Sequence, residues 1–109
     1  MGAESEPQNF VRLRGELQAD VSERTLASGE VVSTFRVIVG RSAAQPRKRS
    51  ADTIDCVTSQ ARVRRTLERL KPGSSIEVEG SLQRRFFRSG GVVVSRYEVN
   101  VDSLSRRRA

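Results

Sequence analysis

The sequence predicts a small all-β domain with one short helix, and three observations lead to this fold class. Several short stretches alternate apolar and polar residues, which is the period of half-buried strands. Residues 59–70 change to a helical period. Ser89-Gly90-Gly91 separates two strand-like runs, as in a β-hairpin. At 109 residues the chain is long enough for one domain with a modest core.

The first half of the chain predicts two strands. In FVRLRGEL, at 10–17, the odd-numbered residues are apolar and the even-numbered residues from 12 to 16 are charged, so one face is expected to be buried. Gly15 lies on the apolar face, which indicates a bend, a bulge or a close approach of another backbone. Turn-forming residues fill 18–30, and the second strand is predicted at 31–39.

The second half predicts a basic loop, three strands and the helix. Residues 40–51 read as a flexible loop with four cations, and a strand is expected at 52–58. The helix carries Val63, Leu67 and Leu70 on one stripe, interpreted as core packing, and Pro72-Gly73 ends it. The fourth and fifth strands are expected at 75–88 and 92–104.

Five strands with one helix between the third and fourth is the element order of the OB-fold, a five-stranded Greek-key barrel. Such barrels bind oligonucleotides on their strand faces and loops. SH3-like barrels lack a helix at this point, and ferredoxin-like folds need two. The expected organisation is a disordered N-terminal lead at 1–8, an OB-fold nucleic-acid-binding domain at 9–104 and a basic C-terminal tail at 105–109.

The charge of the chain predicts an anionic partner. The net charge is +7, and eighteen Arg stand against two Lys. Arg holds a phosphate with a planar fork and also stacks on bases. A membrane surface or an acidic protein stays open on charge alone. The candidate nucleic-acid-binding residues are the cations and rings of the predicted strands and the basic loop: Arg12, Arg14, Arg36, Arg41, Arg47, Lys48, Arg49, Arg84, Arg85, Phe86, Phe87, Arg88, Arg96 and Tyr97.

The hairpin is the most informative of these segments, because it mixes guanidinium groups with rings. Arg neutralises phosphates, while a ring stacks on any base. Alternation puts Leu82 and Phe86 on the inward phase and leaves Arg85 and Phe87 on the other face. We therefore interpret Phe86 as a core residue first, and Phe87 as the better candidate for stacking.

Several classes of catalytic and metal site are not supported. The chain has no His, and its single Cys56 lies in the apolar alternation of TIDCV, so it is expected to be buried. No phosphate-binding glycine loop is present. Glu77 and Glu79 share a strand face and are interpreted as an ion-pair ladder with Arg85 and Arg84 rather than an acid pair. We expect no enzyme activity, no metal and no cofactor.

Location is predicted from what the sequence lacks. No apolar run approaches the ~20 residues of a membrane span, and the first ten residues do not form a secretory signal. A single cysteine is compatible with a reducing compartment. The expectation is a cytoplasmic, nucleoid-associated protein without a membrane partner.

Read together, these pieces resemble the bacterial single-stranded DNA-binding protein family. NFVRLRGEL resembles the first strand of that family, SGEVVSTFRVIVGR the second and TIDCV the third. LERLKPGSSIEVEGSLQRRFF resembles its helix end, turn and fourth strand, and the most specific part of it consists of Lys71, Gly73, Val78, Gly80 and Leu82. The resemblance covers residues 9–104. It implies sequence-independent binding of single-stranded DNA in replication, recombination or repair.

The resemblance also implies an oligomer and a set of stacking rings. Family members are usually homotetramers that dimerise partly through the first strand, so a tetramer or otherwise a dimer is expected. Phe87 matches the aromatic near the end of the fourth strand, with Phe86 beside it, and Tyr97 lies at a plausible hairpin position. Ile54 stands where the third strand usually has Trp, and Ser59-Gln60 where Trp or Phe is usual.

Two departures keep alternatives open. The chain has no Trp and only 5% aromatic residues, and it ends in SRRRA where the family has a flexible tail with an acidic tip. The tail has therefore either been removed or is absent from a tail-less paralogue. The alternative functions are a degenerate OB-fold interaction subunit with weak DNA binding and an RNA-binding OB module.

Overall fold

A computed structural model describes residues 6–40 and 50–108. These residues form six strands and one helix: β1 Val11–Leu17, β2 Ser22–Thr25, β3 Val31–Gly40, β4 Ala51–Thr58, α1 Ala61–Arg69, β5 Ser75–Ser89 and β6 Val92–Arg106. The predicted helix and five strands are confirmed, with small shifts at their ends. The predicted basic loop lies outside the described residues for most of its length.

The strands pair as a closed Greek-key barrel. Their order is β1-β5-β6-β4-β3-β2, and a further pairing of β1 with β3 closes the sheet. All pairs are antiparallel except β4 with β6, where Cys56 lies opposite Val99. This is the OB-fold architecture that the element order predicts.

One strand was not expected. Ser22–Thr25 lies in the segment interpreted as turns, and it pairs with the first residues of β3 at the edge of the sheet. All four of its residues are exposed, so neither face imposes an apolar period on the sequence. The strand is defined by its backbone pairing with β3, and the side-chain pattern of the sequence does not indicate such a pairing.

The core lies inside the barrel, and the helix packs against it. Phe35, Val37, Ile76 and Val101 are among the buried residues that meet there. The helix contributes Val63 and Leu67, both buried in the same cluster, which confirms that its apolar stripe is core packing. No helix in 6–40 or 50–108 is long and apolar enough to cross a membrane.

Two glycines allow backbones to come together in the barrel. A Cβ at Gly15 would overlap the carbonyl of Ile38, and a Cβ at Gly80 would overlap the carbonyl of Asn100. Of the alternatives for Gly15, the structure shows the close approach. At Gly80 the register of β5 and β6 shifts: Glu79 faces Ser103 and Gly80 faces Val101, so Asp102 is an extra residue that forms a bulge.

The β5–β6 hairpin is longer than the barrel that it starts from. Both strands have fifteen residues, and they are joined by Gly90-Gly91, both with positive φ, as a two-residue turn requires. The buried residues of β5 are Ile76, Val78 and Gly80, and every residue after them is at least partly exposed. The distal half of the hairpin therefore projects from the barrel with both faces accessible.

Candidate nucleic-acid interface

The projecting part of the hairpin has two faces of different character, because successive side chains on a strand point to opposite sides. We call them the groove face and the overhang face. The groove face continues the outer surface of the barrel and consists of Gln83, Arg85, Phe87, Ser89, Val92, Val94, Arg96 and Glu98. The overhang face continues the inward phase of the barrel and consists of Leu82, Arg84, Phe86, Arg88, Val93, Ser95 and Tyr97.

The groove face forms one wall of an open groove across the barrel surface. The groove has a volume of about 370 Å³ and is lined from all five strands β2 to β6. Its charged lining residues are four Arg and three carboxylates: Arg24, Arg36, Arg85, Arg96, Asp20, Asp55 and Glu98. OB-folds bind oligonucleotides on a strand face of this kind. The groove is therefore the candidate ligand-binding surface.

Asp55 organises two of the arginines. The Nε of Arg36 donates to its Oδ1 at 3.0 Å, and the Nε of Arg96 lies 3.9 Å from its Oδ2. The pairing follows from the sheet, since Arg36 faces Asp55 across β3 and β4. Arg has five N–H donors, and each of these contacts uses one of them. The guanidinium groups are thus held in place while keeping donors for an anion.

Glu98 organises the third arginine from a more buried position. Only 5% of this residue is exposed, and a buried carboxylate requires partners. Its Oε2 accepts hydrogen bonds from Gln83 Nε2 at 2.9 Å and from Arg85 Nε at 3.3 Å. Arg85 is consequently fixed along the hairpin and directed at the neighbouring ring.

That ring is Phe87, which is half-buried between two guanidinium groups. The guanidinium carbon of Arg85 lies 4.8 Å from the ring centroid, and that of Arg96 lies 5.8 Å from it. Both distances are in the range of cation–π contacts. An apolar face with flanking cations matches a nucleotide, which presents a flat base beside a phosphate.

The position of Phe86 corrects the sequence analysis. The ring was interpreted as core, but it is 61% exposed, and Leu82 on the same phase is 45% exposed. Both residues lie on the inward-pointing side of β5, as predicted. The prediction that Phe86 is buried was wrong, because β5 continues beyond the barrel and its inward-pointing side chains there meet solvent. Phe86 is instead stacked with Arg84, whose guanidinium carbon lies 4.8 Å from the Phe86 centroid and 5.5 Å from the Tyr97 centroid.

Arg12 and Arg14 lie apart from the groove. Arg12 Nε donates to Glu79 Oε2 at 2.8 Å, and Arg14 Nε donates to Glu77 Oε1 at 2.6 Å. The hydrogen bond from Arg14 lowers the pKa of the Glu77 carboxyl, and the nearby positive charges add to the effect. The expected ion-pair ladder is present, but two of its cations come from β1, because the register places Arg12 and Arg14 opposite the two Glu. A third is Arg107, whose Nη1 donates to Glu77 Oε1 at 3.3 Å. The expectation that Arg84 and Arg85 supply them was wrong.

The remaining candidates divide simply. Arg36, Arg85 and Arg96 meet at the groove, while Arg84, Arg88, Phe86 and Tyr97 share the overhang face. The candidates Arg41, Arg47, Lys48 and Arg49 lie outside the described residues. Sequence reasoning missed Arg24, Asp55 and Glu98. Aligning the predicted second and third strands in the sequence would have placed the opposite charges of Arg36 and Asp55 side by side and so predicted that ion pair.

Cys56 lies beneath the groove and offers no reactive thiol. The residue is buried, as expected, and burial raises the pKa of its thiol to about 12, with the charges of Asp55 and Glu98 adding to the rise. Within 6–40 and 50–108, no cluster of His, Cys, Asp and Glu could hold a metal ion.

Comparison with known proteins bears on the whole barrel. The model of the single-strand binding protein family matches residues 8–106. Single-stranded DNA-binding proteins of Bacillus cereus and Bacillus anthracis are each 38% identical to this chain over 78 residues, 71% of its length. The matched part is 46% and 45% of those proteins, so the chain spans about half the length of these curated relatives.

A solved structure agrees at the level of the fold. The structure described as a Plasmodium falciparum SSB complex with ssDNA has a TM-score of 0.77 to this chain, at 18% identity. The alignment covers 95% of this chain and 98% of the other, so the likeness extends over the complete barrel. Because the family model matches all but ten residues, the chain belongs to the single-strand binding protein family, a family of non-enzymatic DNA-binding proteins.

Proposed function

We propose that this chain binds single-stranded DNA without sequence preference, with phosphates at Arg36, Arg85 and Arg96 and a base stacked on Phe87. The observation that carries the proposal is the half-buried Phe87 ring, which contacts the guanidinium groups of Arg85 and Arg96, two residues that line the groove. Stacking accepts every base because each has a π-face, and phosphate contacts carry no sequence information. Membership of the family supports this assignment.

We propose that the carboxylates of the groove orient its arginines. Asp55 and Glu98 hold the three guanidinium groups by Nε before the ligand arrives, so less side-chain freedom is lost on binding. They also offset part of the positive charge. The groove therefore binds a flexible polyanion through oriented donors rather than through excess charge alone.

The cellular role proposed here is protection of single strands during DNA replication, recombination or repair, which the family relationship favours. Two alternatives remain from the sequence. An RNA-binding module would use the same stacking, because a ring does not contact the sugar. A degenerate interaction subunit would retain the barrel and bind DNA weakly. Competition between matched DNA and RNA oligomers distinguishes an RNA-binding module from a DNA-binding one. The affinity for single-stranded DNA distinguishes a weakly binding interaction subunit from a protein whose function is DNA binding.

Replacing Phe87 tests the proposed stacking residue. We expect Phe87→Ala to weaken binding to an oligothymidylate by about 1–3 kcal/mol, the usual value of one base–aromatic stack. The matched control is Phe87→Trp, which keeps an aromatic face and introduces the only Trp of the chain. Its affinity should stay near that of the parent protein, and its emission should be quenched on binding. Equal affinities for the Ala and Trp variants would show that no base stacks at this position.

We further propose that the chain forms a homo-oligomer, a tetramer or otherwise a dimer. Val11–Gly15 of β1 pair with β5 on one side, and the pairing of β1 with β3 includes only Glu16 and Leu17. The other side of the strand therefore has backbone groups that can pair with a second copy across a two-fold axis. Light scattering at micromolar concentration is expected to give a multiple of 12.1 kDa. A monomer mass under those conditions contradicts the proposal.

A further inference from the structure

The overhang face carries an aromatic and cationic cluster of its own. Phe86 is 61% exposed and Tyr97 is 60% exposed, and the Arg84 guanidinium lies over both rings. Arg84 Nε also donates to the Ser95 hydroxyl at 3.2 Å, which fixes the guanidinium between the rings. The overhang face therefore also combines a cation with rings, but as one arginine over two rings, where the groove face has two arginines over the Phe87 ring.

The charges of the two faces differ. On the groove face, Arg85 and Arg96 each meet a carboxylate, Glu98 and Asp55 respectively. The overhang face contains no Asp or Glu, and in 6–40 and 50–108 no ion pair involves Arg84 or Arg88. The overhang face thus presents uncompensated positive charge between exposed rings.

These observations select an anionic partner with flat apolar groups. Two copies of the overhang face would bring together two surfaces that carry Arg84 and Arg88 and no carboxylate, and like charges across an interface are unfavourable. A single-stranded nucleic acid supplies what the face lacks, because its phosphates pair with Arg and its bases stack on rings. The overhang face thus offers the same kinds of contact as the groove, but none of its residues lines the groove.

We propose that the overhang face is a second binding surface for single-stranded DNA, centred on Arg84, Phe86 and Tyr97. The proposal rests on the function proposed above and adds a separate site. Phe86 and Phe87 are neighbours in sequence but point to opposite sides of a two-stranded ribbon. Bases on the two rings consequently belong to well-separated nucleotides or to different strands. The hairpin then holds two segments of DNA, one on each side.

The composition of the chain provides a probe for this face alone. Tyr97 is the only Tyr, and there is no Trp, so intrinsic emission reports on the overhang face. An oligothymidylate of about five nucleotides, near the lower end of the site sizes of OB-folds, is short enough to occupy one face at a time. Titration with it at low salt is expected to quench Tyr97. With an end-labelled oligomer, the same titration should saturate at two oligomers per chain.

Paired variants separate the two surfaces. Phe86→Ala is expected to raise the midpoint of Tyr97 quenching roughly fivefold or more, as loss of one stack implies, and to leave folding unchanged because the ring is largely exposed. Arg84→Ala should act in the same direction. Phe87→Ala is the matched control on the groove face and should leave the Tyr97 midpoint unchanged. Either single-face variant should weaken one of the two binding steps of the short oligomer and leave the other at its parental midpoint.

Three outcomes would overturn the inference. If the labelled oligomer binds while Tyr97 emission stays constant, DNA occupies the groove and the overhang face is not a DNA site. If Phe87→Ala shifts the Tyr97 midpoint as much as Phe86→Ala does, the two faces belong to one site. If Phe86→Ala lowers the mass in light scattering, the overhang face is an interface between copies. Absence of any binding to the labelled oligomer is a different result, since it refutes the proposed function as well.

Discussion

Replacing Arg36, Arg85 and Arg96 together with Ala is expected to weaken binding to an oligothymidylate about 100-fold at ~0.1 M salt. For single strands, log K falls by about 0.7 per tenfold rise in salt for each phosphate neutralised. Three phosphates therefore account for about two logarithmic units of affinity at that salt, or roughly 3 kcal/mol. The slope of log K against log salt should become shallower by about 2.

The control for this variant removes the same charge elsewhere. Arg62, Arg65 and Arg69 lie on α1, and none of them lines the groove. Their replacement by Ala lowers the net charge by three as well, and we expect only a small loss of affinity. If both triple variants bind equally weakly, the affinity depends on the net charge of the protein, and the groove is not the specific binding surface.

A second version of the experiment protects the fold. Removing Arg85 takes one of the two partners from the buried Glu98, which can lower stability. The double variant Arg36→Ala with Arg96→Ala leaves that contact intact, because both residues pair with the half-exposed Asp55. It should retain the melting temperature of the parent and show about two thirds of the change in slope.

The local patterns of the sequence were sufficient to predict the architecture. Alternation in 11–17 and 75–82, the helical stripe of Val63 and Leu67, and the Gly90-Gly91 turn each depend on neighbouring residues only. The element order then selects the barrel, because few folds place one helix between the third and fourth strands. Phe87 and Arg85 could be placed on one face by the same reasoning.

The parts that could not be predicted depend on distant residues. Whether Phe86 is buried depends on where the barrel ends relative to β5, and nothing in the period of the strand marks that point. The partners of Glu77 and Glu79 depend on the register with β1. Glu98 is in phase with Arg96 along β6, so its burial follows only from the packing of the neighbouring strands.

The low aromatic content has a consequence for the energetics of binding. With 5% aromatic residues and no Trp, few stacks are available, and each contributes about 1–3 kcal/mol. The chain also has eighteen Arg, and we expect those at the groove to be the other source of affinity. We therefore expect phosphate contacts, which are sensitive to salt, to contribute an unusually large share of the binding free energy, and stacking to contribute a smaller share.

The dependence of affinity on salt tests this account most directly. The measurement is a titration with oligothymidylate, repeated over a tenfold range of salt concentration. If roughly five phosphates are engaged, log K should fall with log salt at a slope of about −3 to −4. A nearly flat response would contradict the account, because arginines that neutralise phosphates must release counterions when the DNA binds.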